Sequence, residues 1–286
     1  MNIIRMTGGL GNQMFQYALG MKYLNMGIDV KFEDFTEYEG RDNARPICLD
    51  AFGIDYPKCT RDEFMEFTDS YPGLLNKIRR HTFGRKSREY HESSAEFDSK
   101  LLMQDNSYIT GYFQSEKYFE DIKDEVLERF TFKESIVGEA LGLLKDDEEA
   151  LALTASVHIR RGDYLELEEQ YGGICTEEYY AKAIGLLSDV RKFLVFSNDS
   201  EWAKAWSKKY VDRGITMKII EGTDESTGYL DMCLMSMCGH NIIANSSFSW
   251  WGAYLNKNPN KKVIAPKCWI NSAERKDIYT QDMIRL

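Results

Sequence analysis

Two adjacent arginines that follow an apolar segment have the clearest capacity for chemistry in this sequence. Residues 153–159 are mostly apolar, and the segment His158–Asp163 (His-Ile-Arg-Arg-Gly-Asp) closes that run. Guanidinium groups bind phosphate oxygens in bidentate fashion and stay charged at any working pH. An isolated Arg-Arg pair is usually a solvated surface feature, but its place after a buried strand favours an anion site. The segment is a candidate phosphate-binding site, with a plain surface pair as the alternative.

A glycine-rich loop near the start of the chain is a second candidate anion site. Residues 8–13 (Gly-Gly-Leu-Gly-Asn-Gln) separate a predicted strand from a predicted helix, whose amino end would attract negative charge. The loop departs from the dinucleotide fingerprint because Met14 stands at the third glycine position. Glu33 and Asp34 nevertheless lie at the spacing of a ribose-binding acid, so an NAD-linked oxidoreductase stays open. A simple tight turn is the remaining alternative.

A serine-rich segment, residues 245–252 (Asn-Ser-Ser-Phe-Ser-Trp-Trp-Gly), joins a predicted strand to a short helix. The hydroxyls of Ser246 and Ser247 would suit helix capping and donation to a phosphate, and capping alone explains them equally well. We expect Trp250 and Trp251 to pack in the core.

The sequence lacks a common motif for binding a nucleotide diphosphate through a metal ion. Many glycosyltransferases hold a nucleotide diphosphate through an Asp-x-Asp pair and a divalent cation, and the sequence contains no Asp-x-Asp. Nor do its six cysteines have zinc-site spacing. A diphosphate bound here would have to be neutralised by arginine and backbone dipoles, without a metal.

The elements around these segments alternate in type. The C-terminal half reads as strands separated by helices, which predicts a doubly wound parallel sheet that binds ligands beyond the carboxyl ends of its strands. The predicted strands are 153–159, 192–197, 217–220, 241–244 and 262–265, and the helices are 177–190, 200–211, 227–239 and 249–256.

The N-terminal half opens in the same way, with strands at 3–6 and 29–32 around a helix at 12–26; a strand at 108–113 and a helix at 116–129 follow. The acidic residues 145–149 are a plausible boundary, with a solvated helix end as an equal alternative. We therefore expect an α/β protein of two Rossmann-like domains, residues 1–150 and 151–286, facing one another across a cleft.

Composition limits the possible partners. The net charge of −10 argues against nucleic acid or an anionic membrane surface, because the field of the whole molecule would repel polyanions. No apolar stretch approaches the roughly 20 residues that span a bilayer. No signal-peptide pattern precedes the first strand, so we expect a cytoplasmic protein.

Taken together, the motifs resemble glycosyltransferase family 11, the α1,2-fucosyltransferases. The resemblance runs through residues 8–18, 111–114, 158–164, 196–199 and 231–251. It implies a GT-B-like architecture, GDP-β-L-fucose as donor, a galactose-terminated oligosaccharide as acceptor, inversion to an α1,2 linkage, and no metal or other cofactor. The N-terminal domain would then lie on the acceptor side and the C-terminal domain would bind GDP-fucose. Because no membrane anchor is visible, the chain resembles the bacterial members.

The resemblance also implies roles for individual residues. Arg160 would bind the β-phosphate and stabilise the leaving GDP, and His158 would lie near the ribose and phosphates. Arg161 belongs to the same donor-binding segment or holds its loop. Asn12 would reach fucose or phosphate from the N-terminal domain. Contacts from the helix end would come from Ser246, Ser247 and Phe248.

Inverting transfer needs stabilisation of the leaving group and can also use a base on the acceptor hydroxyl. Asp163 is the candidate general base, Glu168 is the second choice, and both have a structural alternative. The competing hypotheses for the whole chain are the oxidoreductase named above and a glycan-binding protein without catalytic activity.

Overall fold

The computed structural model describes residues 1–37, 45–145 and 151–286. The chain forms two compact units, Met1–Leu49 with Ile54–Arg129, and Asp50–Gly53 with Phe130–Leu286. Each unit contains its own sheet, and every strand pairing within the sheets is parallel. The acidic segment at which we expected the boundary is residues 145–149, and all of it except Lys145 lies outside the described residues.

The N-terminal unit has a four-stranded sheet in the order β2-β1-β4-β3. Its helices and strands are β1 Asn2–Arg5, α1 Leu10–Asn25, β2 Val30–Glu33, α2 Arg61–Thr68, α3 Leu74–Phe83, β3 Glu89–His91, β4 Tyr108–Thr110 and α4 Lys123–Arg129. The predicted first strand, first helix and second strand are confirmed to within two residues. The sequence analysis did not find α2, α3 or β3.

Two predicted elements of this unit are shorter in the structure, for local reasons. The strand expected over 108–113 ends at Thr110, because the carboxylate of Glu92 accepts hydrogen bonds from the backbone N–H groups of Tyr112 and Phe113. The helix expected over 116–129 is regular only in α4, after two short 3-10 turns that meet at Phe119.

The C-terminal unit has a six-stranded sheet in the order β10-β9-β8-β5-β6-β7. Its elements are α5 Glu134–Gly142, β5 Ala155–Ile159, α6 Gly162–Glu166, α7 Glu168–Tyr171, α8 Glu177–Leu186, β6 Lys192–Ser197, α9 Ser200–Ser207, β7 Thr216–Ile219, α10 Gly228–Met237, β8 His240–Ile242, α11 Ser247–Tyr254, β9 Val263–Ala265 and β10 Met283–Arg285. The five predicted strands and four predicted helices are all present. The sequence analysis did not find β10, α5, α6 or α7.

Both faces of this sheet are covered, as the predicted doubly wound architecture requires. Along β6, Phe193 and Val195 pack into the core cluster of α8 and α9, whereas Leu194 and Phe196 pack into the cluster of α5 and α10. This alternation follows from the two-residue period of a strand, and burial on both faces explains why the strand is a continuous apolar run.

The strand order fixes where a ligand site can form. In chain order the strands β7-β6-β5-β8-β9-β10 run 3-2-1-4-5-6, so the direction of winding reverses between β5 and β8. At such a point the loops after the two central strands leave toward opposite faces and open a crevice. The β5 loop carries Arg160, and the β8 loop carries Ser246.

Candidate active site

The residues at the carboxyl end of β5 are held in a buried, preformed arrangement. His158 is buried, its carbonyl accepts a hydrogen bond of 3.0 Å from the Tyr180 hydroxyl, and its ring centroid lies 5.6 Å from that of Phe248 in α11. Burial, and then the charge of Arg160, lower the pKa of His158 from 6.5 to about 3. The imidazole is therefore neutral at physiological pH. Its Nδ1 has no hydrogen-bond partner among the described residues.

The two arginines have different surroundings. The backbone N–H of Arg161 donates to Asn198 Oδ1 at 2.9 Å, and its Nε donates to Asp199 Oδ2 at 3.2 Å. Its guanidinium also lies 4.4 Å from the ring centroid of Trp202. These contacts tie the β5 loop to the start of α9, so they give Arg161 a structural role.

Arg160, by contrast, is directed toward other strand ends. Its side chain is 15% exposed, with Nη2 3.7 Å from Glu225 Oε1, in the loop after β7, and the guanidinium 5.6 Å from the ring centroid of Tyr164. The 3.7 Å separation is longer than a hydrogen bond, and the Glu225 side chain is more than half exposed. An ion pair of this length with an exposed partner contributes little, so a bound anion can compete with the carboxylate for Arg160.

The amino end of α11 supplies backbone donors on the other side of the reversal point. Ser246 occupies the N-cap position, but its side chain makes no capping hydrogen bond, so the capping alternative does not hold for Ser246. Ser247 begins the helix, and Phe248 follows. The first N–H groups of a helix lack intrahelical acceptors and attract anions. Trp250 and Trp251 are fully buried, as expected.

Side-chain contacts hold this loop against the β5 segment. The Tyr164 hydroxyl donates to the carbonyl of Asn245 at 2.9 Å, and Asn245 Nδ2 donates to the carbonyl of Trp269 at 3.0 Å. The Phe248 ring lies against His158 on one side and Gly228 of α10 on the other, where an added Cβ would be 3.5 Å from the ring. The structure therefore places Phe248 against His158, and Tyr164 links the segment that carries Arg160 to the residue before Ser246.

Asp231, in the first turn of α10, is a further functional candidate, for which the sequence alone leaves a structural role as an equal alternative. Its Oδ2 accepts a hydrogen bond of 3.0 Å from Thr223, whereas its buried Oδ1 has no partner among the described residues. Burial raises the pKa of this carboxyl from 3.8 to about 7, and the bond from Thr223 opposes the rise. A buried carboxylate oxygen without a donor is costly and points to a ligand that supplies one. The only sequence signal was an acidic residue in an otherwise apolar helix.

The predicted residues of the N-terminal unit form a local network of their own. Gly8 has φ +76°, and α1 begins after Gly9. Asn12 Oδ1 accepts a hydrogen bond of 2.8 Å from Gln114 Nε2, so the glycine loop and the 111–114 motif meet. Gln13 Nε2 donates to the carbonyl of Gly8 at 2.9 Å. These bonds fix the loop after β1, where Asn12 is exposed only in part.

The two candidate bases lie in short helices after β5. The backbone of Asp163 is in α6, and its side chain lies outside the described part of the structure. Glu168 begins α7 and is exposed. No described contact of Glu168 bears on its predicted role. Among the helices of the described residues, none combines the length and apolar character that crossing a membrane requires.

Comparison with known proteins identifies the family. A family model described as glycosyl transferase family 11 matches residues 76–285. An α1,2-colitosyltransferase of Escherichia coli is 34% identical over 289 residues, which cover 95% of this chain and 93% of that protein. The O-antigen biosynthesis glycosyltransferase WbnK of Escherichia coli is 29% identical, with 98% and 99% covered. Galactoside α-(1,2)-fucosyltransferase 1 of Sus scrofa is 26% identical, with 66% and 53% covered.

Solved fucosyltransferase structures share the fold. FUT1 of Arabidopsis thaliana in complex with GDP superposes with a TM-score of 0.54 at 11% identity, covering 92% of this chain and 70% of that one. POFUT1 in complex with GDP gives 0.50 at 11% identity, covering 92% and 97%. The predicted α/β, GT-B-like fold class is thereby confirmed. The chain belongs to glycosyltransferase family 11.

Proposed function

We propose that the chain is an inverting fucosyltransferase that moves L-fucose from GDP-β-L-fucose to the 2-hydroxyl of a terminal galactose and forms an α1,2 linkage. The observation that carries it is that Arg160 follows β5 and the amino end of α11 follows β8, the two strands that flank the reversal point of the C-terminal sheet. With the family established, the oxidoreductase alternative falls away. What we propose beyond the family is the identity of the donor and of the acceptor.

The diphosphate end of the donor suits these two elements. The acceptor 2-hydroxyl attacks C1 of fucose from the face opposite the phosphate, the C1–O bond breaks, and GDP leaves with the bonding electrons. Negative charge grows on the β-phosphate during this step, and the Arg160 guanidinium with the N–H groups of α11 would stabilise it. Removing one such fixed partner typically costs about 10²–10³ in rate. This arrangement neutralises the leaving group without a metal ion, which is part of the proposal.

The base end of the donor suits Asp231. Guanine presents two parallel N–H donors on one edge, and a carboxylate is the side chain that accepts both. Adenine presents an acceptor there and would leave the carboxylate unsatisfied. The buried Oδ1 of Asp231 and the neutral imidazole of His158 would line the nucleoside side of the same crevice. This chemistry supports a guanine nucleotide as the donor's leaving group.

Colitose is the specific alternative to fucose as the transferred sugar. Colitose is fucose without its 3-hydroxyl, and a relative that is 34% identical along nearly the whole chain is an α1,2-colitosyltransferase. WbnK and the animal relative carry names that support O-antigen assembly and galactoside α1,2-fucosylation. A site that hydrogen-bonds the 3-hydroxyl of fucose would reject colitose strongly, because its polar groups would be left unpaired.

For the proton, we propose Asp163 as the general base, with Glu168 as the alternative. Asn12 is proposed to contact fucose or phosphate, and the N-terminal unit to serve the acceptor. Ser247 is proposed to donate to phosphate beside the backbone of α11.

The experiment compares the parent with Arg160→Ala and the matched variant Arg161→Ala, each with GDP-fucose or GDP-colitose and a galactoside acceptor, with and without a chelator. We expect fucosyl transfer that survives chelation and falls about 10²–10³-fold in Arg160→Ala. Arg161→Ala should lower thermal stability through loss of its contacts with Asp199 and Trp202, yet keep most of the activity.

Near-normal transfer by folded Arg160→Ala would overturn the role of Arg160. A higher kcat/KM for GDP-colitose than for GDP-fucose would replace fucose by colitose as the sugar. Loss of activity on chelation would overturn metal independence.

A further inference from the structure

The helix α3 exposes its large apolar side chains instead of burying them. None of its ten residues is buried. Four of its apolar side chains are more than half exposed: Leu74 at 72%, Leu75 at 84%, Ile78 at 52% and Phe83 at 77%. At about 100° per residue, Leu74, Ile78 and Leu75 share one stripe of the helix. An apolar stripe of this kind that faces solvent indicates a surface that binds a partner.

The same segment carries a concentrated positive charge. Between Ser70 and Arg88 the sequence has six Lys and Arg residues and no Asp or Glu, in a chain whose net charge is −10. Lys77, Arg85 and Lys86 are exposed. Because surface charges are screened beyond about 10 Å at 0.1 M salt, the acidic remainder of the molecule does not cancel this local field.

Two of the arginines fix the orientation of the helix. Arg79 forms an ion pair with the buried Asp69, and Arg80 donates to the backbone carbonyls of Asp69 and Tyr71 at 3.1 and 2.9 Å. These contacts hold the polar side of α3 against its own unit. The stripe of Leu74, Leu75 and Ile78 is thereby kept on the outer side.

We propose that α3 and the residues up to Lys86 dock on the surface of an anionic lipid bilayer, with the helix lying in the plane of the interface. An apolar stripe flanked by Lys and Arg fits the boundary between acyl chains and anionic headgroups. A second copy of the chain is a poorer occupant, because two such surfaces would bring like charges together. The expectation from net charge, which excluded anionic membranes, holds for the average of the molecule and not for this segment.

The test measures binding of the full chain to vesicles of phosphatidylethanolamine and phosphatidylglycerol, and to vesicles of phosphatidylcholine alone. We expect binding to the anionic vesicles only, weakening as salt rises. The charge variant carries Lys77→Gln, Arg85→Gln and Lys86→Gln. Its partition coefficient should fall about 100-fold, at roughly fivefold for each basic residue near the surface.

The apolar variant carries Leu75→Asn and Ile78→Asn and should bind roughly tenfold less for each side chain withdrawn from the bilayer. The matched controls, Met103→Asn and Lys257→Gln, change exposed residues elsewhere and should bind like the parent. Arg79 and Arg80 are left intact because they hold the helix. Thermal unfolding and GDP binding check that every variant is folded.

Three results would overturn the proposal. The first is a parent that fails to bind anionic vesicles, and the second is a pair of variants that bind as tightly as the controls. The third is a parent that stays off the vesicles but forms a dimer that the apolar variant dissociates, which would assign the surface to a second copy of the chain.

Discussion

Replacing the buried Asp231 by asparagine should make the protein more stable and less able to bind its nucleotide. The folded-state pKa of this carboxyl is about 7, against an ordinary value of 3.8. Between these two pH values the folded protein holds a proton that the unfolded chain has lost. The stability present below 3.8 is therefore lost progressively as the pH rises toward 7. Asparagine does not titrate, so the variant escapes this loss.

The size of the effect follows from the displacement of the pKa. Between pH 5 and pH 8 the unfolding free energy of Asp231→Asn should gain about 2.5 kcal/mol on that of the parent, since each pH unit inside the window is worth about 1.4 kcal/mol. His158 titrates in both proteins and cancels from the difference. For a chain of this length, the Tm of the variant minus the Tm of the parent should therefore be about 5 °C larger at pH 8 than at pH 5.

The assay is thermal unfolding of ligand-free parent and variant at several pH values, together with GDP titration at pH 8. GDP affinity should fall about 10–100-fold in Asp231→Asn, because a hydrogen bond to a charged group is worth about 1.5–3 kcal/mol. Preference for GDP over inosine diphosphate, which lacks the 2-amino donor, should shrink with it. A matched control is Asp224→Asn in the preceding loop, where bonds from Ser226 lower the pKa of the carboxyl. This control should lower stability at neutral pH.

A difference in Tm between parent and Asp231→Asn that is the same at pH 5 and pH 8 would refute the reasoning about burial. A variant that gains stability but binds GDP as tightly as the parent would support the reasoning about burial. It would also show that Asp231 does not bind the nucleotide.

Two further changes test the β5 loop. In Gly162→Ala the new Cβ would lie 2.3 Å from Asn198 Nδ2, so the Asn198 side chain, which accepts a hydrogen bond from the Arg161 N–H, must shift; we expect a loss of about 1 kcal/mol in unfolding free energy as that bond weakens, part of which Asn198→Ala restores when combined with it. No recovery in the double variant would contradict the steric explanation. For Asp163→Asn we expect a fall in kcat of about 10²–10⁴ with little change in GDP affinity, and a variant that keeps most of its kcat would exclude the role of base.

The sequence alone predicts the part of the candidate site that depends on residues close together in the chain. Arg160 follows an apolar run. Where strands and helices alternate along a chain, such a run indicates a central strand of a parallel sheet, so the position of Arg160 at the carboxyl end of β5 could be predicted. The order of the strands could not, because pairing of β5 with β8 joins segments some 80 residues apart. That pairing is what brings Phe248 against His158.

The parts that sequence left open or missed are those defined by burial. Asp231 differs from any acidic residue in a first helical turn only through the missing partner of its Oδ1, which is a property of the packed structure. The opposite case is α3, whose apolar residues are ordinary in type and unusual only because they stay exposed. Net charge could not reveal it, since an average over 286 residues conceals six positive charges within 19.

The loop after β7 links the two ends of the proposed donor site. Thr223 donates to Asp231 at 3.0 Å, and Glu225, two residues on, faces Arg160 at 3.7 Å. Asp224 between them accepts four hydrogen bonds from Ser226 and Thr227, which hold the turn. A guanine bound at Asp231 and a diphosphate bound at Arg160 would therefore act on one short segment. We expect donor binding to displace Glu225 from Arg160 and to leave the bond from Thr223 to Asp231 in place, which would reorganise the outer half of the loop and keep its inner half.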